Sequence, residues 1–345
     1  MVILLSGQIK NIGDFLITDR AKKLFEKFVD DDILIINRTK KLDQYLNTIN
    51  QSRFIVLCGG PAYTSDIYKG IYPLVDDLKQ IKVPIVPFGL GWCGRPSGNP
   101  NLFNFNNESK KLLNHVHQTI KNSSCRDNIT QEVLKRNGFE NVLMTGCPVW
   151  YDLDHIGKAF RDKKEIKKIV FTTAADPKLI RQTLSLIKVL VRQFPNAKIT
   201  MSYHRGILPD KHTSIRATIG YLIKALGAKL IRRNIEIKDV AYDLDRLKFY
   251  DDCDFHIGYR VHAHLYFLSK RLPSLLINED GRGKGMAQTM GLPLFNIEDK
   301  DLLMDIEAQL QHYKKTKFSE FKDVGEYIDT NFEVMKRFLN NLNSQ

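Results

Sequence analysis

Two kinds of hydrophobic pattern alternate along the chain. Short continuous apolar runs occupy residues 3–5, 33–36, 54–57, 85–88 and 142–144. Between them, apolar residues recur every three or four positions, as in Phe15, Leu16, Ala21, Leu24 and Phe28. Uninterrupted Ile/Val/Leu runs predict strands buried on both faces, as in a parallel sheet, and the three-to-four spacing predicts helices. Further helices are expected near 42–49, 110–120 and 131–137. A polar, mixed stretch at 148–166 then interrupts the pattern, overlapping the basic stretch 161–168, and the alternation restarts. Strands are predicted at 169–172, 198–203, 229–231, 255–257 and 274–277. Helices are predicted at 177–194 and 219–226, from after 231 to Tyr250, and at 262–270. In the tail, Val324, Ile328, Phe332, Met335, Leu339 and Leu342 form one stripe of a long amphipathic helix over 321–342.

Strand–helix alternation in two blocks predicts an α/β protein of two doubly wound, Rossmann-like domains, 1–150 and 165–320, followed by a closing helix within 321–345. The length of 345 residues fits two domains better than one. Ligands in such sheets sit at the carboxyl ends of strands, where this chain places Ser6-Gly7, Gly59-Gly60, Gly89-Leu90-Gly91, Arg126-Asp127, Gly146 and Gly258-Tyr259-Arg260. No P-loop or strand-borne G-x-G-x-x-G is present, nor a G-x-S-x-G nucleophile elbow.

Charge narrows the partners. Lys and Arg total 52 against 39 Asp and Glu, a net charge of +13. An anionic small substrate or an anionic membrane surface fits this excess; nucleic acid ranks last, because the charge is dispersed and no base-reading motif accompanies it. No apolar run approaches the ~20 residues that span a bilayer, and the short apolar start lacks the features of a signal peptide. The expected location is the cytoplasm, where the excess charge could hold the chain loosely on the inner face of the plasma membrane. The five cysteines are scattered and form no CxxC pair, so neither a disulfide framework nor a zinc cluster is expected. His256, His262 and His264 cluster without metal-ligand spacing; one is expected to be catalytic and two structural.

The segment with most chemistry runs from Ile257 to His264. A strand ends, a helix begins near His262, and helix N-termini favour anions. Arg260 adds a fork for carboxylate or phosphate, or else a structural ion pair to Asp252 or Asp254. His262 beside a bound anion could remain protonated and act as a general acid.

From Arg260 onward the chain resembles the polysaccharide pyruvyl transferase family. The matching features are Arg260-Val261-His262 at a helix start, a small apolar helix, the Pro-led strand from Pro273, Glu279-Asp280 and then Lys284. Asn11-Ile12-Gly13-Asp14, Gly59-Gly60, Gly89-Leu90-Gly91, Ser124-Cys125-Arg126-Asp127 and Gly146-Cys147-Pro148 match in order upstream. One departure stands out: Lys284 follows Asp280 by four residues rather than two, and Arg282 occupies the usual slot.

The resemblance implies a GT-B-like arrangement, and the amphipathic stripe of the tail helix implies that it packs back across toward the first domain. It also implies transfer of a pyruvyl group from phosphoenolpyruvate to a sugar of a cell-surface polysaccharide or its precursor, lipid-linked or free, forming a ketal. Phosphoenolpyruvate is a co-substrate, and no separate cofactor or metal is expected. Arg126, Arg260 and Lys284 are then the expected donor ligands, with Arg282 the rival of Lys284, and His262 is the acid. The acceptor would meet Asn11, Asp14 and Gly60. Asp14 could take the sugar hydroxyl proton or cap the first helix; Tyr63 and Trp92 could stack on the sugar or serve as packing. The alternatives are a GT-B glycosyltransferase using a nucleotide-sugar and a non-catalytic glycan-binding relative.

Overall fold

A computed structural model describes residues 1–95, 97–160 and 165–343. The first half opens with β1 (Val2–Ser6) and α1 (Ile12–Phe28), followed by β2 (Ile33–Asn37), the short α2 (Leu46–Asn50), β3 (Ile55–Cys58) and β4 (Pro61–Tyr63). Then come β5 (Ile85–Phe88), β6 (Gly91–Trp92), α3 (Asn107–Thr119), β7 (Ser123–Cys125), α4 (Asn128–Arg136) and β8 (Val142–Met144). Four strands pair in parallel in the order β2-β1-β3-β5. The parallel pair β7-β8 carries the layer onward through a Leu90–Cys125 bridge and a hydrogen bond from the Gly89 amide to Ser124 Oγ. Every residue of β1, β3 and β5 is buried, as their unbroken apolar runs require.

The second half comprises β9 (Lys168–Thr172), α5 (Ile180–Gln193), β10 (Lys198–Tyr203), α6 (Ile215–Ile231), β11 (Glu236–Asp239) and β12 (Phe255–Gly258). It continues with α7 (Val261–Ser269), β13 (Ser274–Asn278), α8 (Gly281–Met290), β14 (Phe295–Asn296), α9 (Leu302–Thr316) and α10 (Phe321–Leu342). All six strands are parallel, in the order β11-β10-β9-β12-β13-β14. Renumbered within this half the order is 3-2-1-4-5-6, that of a Rossmann sheet. The two separate sheets and the returning tail helix realise the expected two-Rossmann, GT-B-like arrangement. The boundary anticipated at 148–166 falls partly on residues 161–164, which lie outside the described residues.

The sequence pattern misplaced one strand. Residues 229–231 are the last turn of α6, and the strand is β11, five residues later. Leu222, Leu226 and Leu230 continue a helical period into that turn. Meanwhile β11 (Glu-Ile-Lys-Asp) lies at a sheet edge with every residue half-buried, so it carries no apolar run. Downstream, residues 244–252 form 3₁₀ turns rather than the end of a long helix. The pattern also passed over α8, β14 and α9.

The tail helix α10 joins the halves. Phe332 meets Phe28 edge-on, Phe338 stacks on Phe88 with centroids 6.1 Å apart, and Asn331 donates to Tyr151 Oη at 2.7 Å. Toward the second half, Asp329 pairs with the buried Arg271, whose Nε donates to the Lys158 carbonyl. Phe338→Ala is therefore expected to lower stability by about 3–5 kcal/mol, and the exposed Arg337→Ala by no more than about 0.5 kcal/mol. Urea unfolding measures both; a Phe338→Ala loss below about 1 kcal/mol would show that α10 is not part of the cooperative core.

Candidate active site

Each sheet has one point where successive connections leave in opposite directions: between β1 and β3 in the first, and between β9 and β12 in the second. Such switch points leave a crevice at the carboxyl edge. Here the two crevices face each other. They form one cleft of about 240 Å³ lined by Asn11, Asp14, Arg38 and Pro61 from the first half, and by Ala175, His204, Arg205, Arg260, His262, Asp280 and Arg282 from the second. The first turns of α1, α7 and α8 border it, bringing three helix N-termini to one place.

The halves are pinned together on either side of the cleft. Lys10 Nζ reaches Asp210 Oδ2 at 2.6 Å and Thr213 Oγ1 at 2.5 Å. The Ile12 amide donates to the His204 carbonyl at 3.1 Å, and the Gly281 amide to the Gly94 carbonyl at 2.7 Å. At the centre, α1 meets α7 so closely that a Cβ on Gly13 would lie 2.4 Å from His262 Nδ1. The glycine of the Asn11-Ile12-Gly13-Asp14 motif thus makes room for the imidazole. Gly258 ends β12 with φ +146°, and a Cβ there would lie 2.3 Å from the Thr172 carbonyl oxygen. That tight exit aims the following Arg260 and His262 into the cleft.

The three clustered histidines divide cleanly. His256 Nδ1 and His264 Nδ1 both contact Ser274 Oγ at 2.7 Å, and His256 Nε2 contacts Thr172 Oγ1 at 2.8 Å. Both rings are structural. His262 faces the cleft, and its buried Nε2 has no protein partner. Burial, reinforced by Arg282 and Arg126, pushes its pKa down to about 3. The protein by itself therefore favours the neutral ring of His262.

Four guanidinium groups line the cleft: Arg38, Arg205, Arg260 and Arg282. Arg260 neither pairs with Asp252 nor with Asp254, the partners considered from sequence; its Nη1 lies 3.8 Å from Glu279 Oε2, and its buried Nε has no partner. Burial lowers its pKa, with Arg205 and Arg282 adding repulsion against the pull of Glu279. Burial also disfavours the Arg282 charge, but Asp280 outweighs it through bonds of 2.8 and 2.9 Å from Nε and raises the pKa.

Several sequence-derived assignments change. Lys284, the favoured basic residue, does not line the cleft; Arg282 does, because α8 begins at Gly281 and the two-residue step from Arg282 to Lys284 turns the lysine to another face of the helix. Arg126 is fully buried behind the wall: Nε bonds Asp127 Oδ2 at 3.0 Å, Nη2 bonds the Trp92 carbonyl at 3.1 Å, and a Cβ on Gly91 would lie 2.0 Å from its Cζ. It acts on the cleft through its charge alone. Gly60 is buried against Arg38. Tyr63 packs on Phe105, and Trp92 packs on Phe103 and under Gly281, so neither presents a face to the cleft.

Asp14 is not the helix cap; Asn11 holds that position and donates its amide to Asp14 Oδ2 at 3.2 Å. Burial raises the Asp14 pKa against the opposing pull of Arg38, Asn11, Arg282 and Arg205. Arg38, Arg205 and His204 were missed in the sequence, although each follows a strand directly, at the position that singled out Arg126 and Arg260.

A family model described as polysaccharide pyruvyl transferase matches residues 11–281, most of the chain. The chain belongs to that family. No curated relative matches by sequence. Among solved structures, the fold of this pyruvyl transferase family member is similar to S. aureus MnaA with UDP, at 14% identity and TM-score 0.57, covering 98% of this chain and 96% of that one. It is also similar to Anabaena HepE with UDP and glucose, at 12% identity and TM-score 0.50, covering 99% and 97%. A putative UDP-N-acetylglucosamine 2-epimerase from Listeria monocytogenes matches at 12% identity and TM-score 0.51, covering 94% and 90%. At these identities the likeness concerns the fold.

The packing of Gly13 on His262 yields a test. Gly13→Ala should destabilise the protein by about 1–3 kcal/mol, and His262→Ala should remove the clash, so the double variant should be more stable than the sum of the two losses by at least about 0.5 kcal/mol. Denaturant titration of the four-protein cycle measures this coupling. Strict additivity would mean that the two residues do not bear on each other.

Proposed function

We propose that the cleft transfers the pyruvyl group of phosphoenolpyruvate to two hydroxyls of a sugar in a polysaccharide or its precursor. The observation carrying this reading is the convergence of four guanidinium groups and three helix N-termini on one buried imidazole with an unpartnered Nε2. A small ligand with both a carboxylate and a phosphate supplies the negative charge these groups lack. The volume of about 240 Å³ also favours it, since drug-sized ligands usually occupy about 300–1,000 Å³.

In this mechanism Arg260, Arg205, Arg282 and Arg38 hold the donor's anionic groups. The donor's negative charge opposes the effect of the arginines at His262: it raises the pKa of the ring and lets it carry a proton. His262 delivers that proton to the methylene carbon, which becomes a methyl group while the central carbon becomes electrophilic. One sugar hydroxyl adds to that carbon and Asp14, its pKa raised, accepts the hydroxyl proton. The carbon–oxygen bond to phosphate breaks, with the arginines stabilising the leaving dianion. The second hydroxyl closes the ketal. Of the two hydroxyl protons, one restores the methyl-forming acid and the other leaves with inorganic phosphate, so atoms balance.

A nucleotide-sugar donor would draw on the same cations, and UDP is bound in two of the similar folds. One assay separates the two readings: phosphate release from phosphoenolpyruvate with a glycan panel, against nucleotide release from sugar donors. Phosphate release dependent on glycan is expected; nucleotide release alone would overturn the proposal. Within the phosphate assay, His262→Gln should lower kcat by about 10²–10⁴-fold with little change in donor KM. Arg282→Ala should raise KM and lower kcat, and Lys284→Ala should leave both near wild type. Near-normal turnover in folded His262→Gln would remove it as the acid.

A further inference from the structure

The polarity of α6 is inverted. Its large apolar side chains Ile215, Ile219, Leu222, Ile223, Leu226 and Leu230 form one stripe at spacings of three and four, and that stripe faces outward. Leu226 is 63% exposed and Leu230 89%. The inward face carries the small residues Thr218, Gly220, Ala225 and Ala228 beside Tyr221 and Lys224. A Cβ on Gly220 would lie 2.7 Å from the Pro177 carbonyl oxygen, and one on Gly227 would lie 2.7 Å from Leu184 Cδ1. The helix is thus seated close to α5 by its glycines and alanines, with the isoleucines and leucines left over. A contiguous exposed stripe of this size marks an interaction surface.

The charges around the stripe say what covers it. Between Asp210 and Glu236 the chain has no acidic residue, while Lys211, Arg216, Lys229, Arg232 and Arg233 are all basic. The two flanking acids are occupied: Asp210 pairs with Lys10 and accepts from Tyr242 Oη, and Glu236 pairs with Lys198 at 2.7 Å. A second copy docked about a twofold axis would set Arg216 and Lys229 against their own counterparts, which repel. An apolar stripe edged only by cations matches an anionic lipid surface, where leucines enter the acyl boundary and lysines and arginines meet headgroups. Among the described residues no helix is long and apolar enough to cross a membrane, so the fit is to lying on the surface. We infer that α6 docks this protein on an anionic bilayer through its Ile/Leu stripe.

Docking would also place the cleft at the surface. On the inward side of α6, Tyr221 Oη donates to the carbonyl of the cleft-lining Ala175 at 2.8 Å, and Lys224 Nζ donates to the Asp176 carbonyl at 2.6 Å. The inference does not depend on the donor identity proposed above.

The test is flotation of the full chain with vesicles of phosphatidylglycerol and phosphatidylethanolamine, and with vesicles of phosphatidylcholine alone, at low and high salt. Wild type should float with the anionic vesicles, only weakly with the neutral ones, and less at high salt. Leu226→Glu/Leu230→Glu and, separately, Arg216→Glu/Lys229→Glu should each weaken binding about tenfold or more. Lys22→Glu/Lys23→Glu, the same charge change on exposed α1 positions, should bind as wild type does. Thermal melts and light scattering establish that each variant is folded and report its oligomeric state. The inference is overturned if wild type does not bind anionic vesicles, if the α6 variants bind equally well, or if the α1 pair loses as much. It is also overturned if wild type is a dimer that the leucine variants split, which would make a second copy the occupant.

Discussion

The close approach of α1 to α7, possible only because residue 13 has no side chain, governs the geometry of the cleft. It brings two helix N-termini from different domains together and sets the His262 ring against the first turn of α1. A Cβ at position 13 would overlap the His262 side chain and force it out of its present place. The clasps around it, Lys10 on Asp210 and the Gly281 amide on the Gly94 carbonyl, hold the halves at this separation. The tail helix α10 braces the arrangement from behind by packing on residues of both halves. Catalytic precision in such a design depends on an interdomain contact rather than on any one loop.

The second constraint is electrostatic. Arg38, Arg205, Arg260 and Arg282 face a space that also holds Asp14 and Asp280. Asp280 is committed to Arg282 and Glu279 to Arg260, so these ion pairs hold two of the four guanidinium groups without filling the cleft. Burial, reinforced by the residual positive field, disfavours the charged form of both His262 and Arg260. An anionic ligand relieves both. Coulombic interactions are strongest where water is scarce, so in the proposed mechanism the field that attracts the donor also couples its binding to protonation of the imidazole.

Much of this was legible in the sequence, for a clear physical reason. Strands buried on both faces carry unbroken apolar runs, so β1, β3, β5 and the apolar centre of β9 could be read directly. The strands β10 and β12, interrupted by Thr200, Ser202 and His256, are legible from the strand–helix alternation, and Asn11, Arg260 and His262 follow from the strand-end rule. The edge strand β11 carries no such run, because half its surface meets solvent, and α6 disguised its last turn as a strand by ending in Lys-Leu-Ile. The same rule could have found Arg38 after β2 and Arg205 after β10. It could not separate Arg126 from Arg260, since both follow strands; only the packing of Arg126 behind Gly91 shows that one is wall and the other is lining. Tyr63 and Trp92 likewise read equally well as platforms or as core, and burial decided for core. Between Arg282 and Lys284, the motif spacing already points to Arg282; Lys284 is favoured by its ammonium group, and the start of α8 at Gly281 sets Arg282 toward the cleft.

In the proposed mechanism a bound anionic donor, not the protein alone, puts the proton on His262. Calorimetric titration of phosphoenolpyruvate into the protein near neutral pH, repeated in buffers of different ionisation enthalpy, counts the protons exchanged on binding. With the pKa of His262 pushed down to about 3 in the protein alone, its ring starts neutral, and binding raises the pKa, so complex formation takes up protons. Wild type should take up more protons than His262→Gln, with the difference approaching one as the pH is lowered toward 6. Equal proton counts for the two proteins, with donor binding intact in both, would contradict the account.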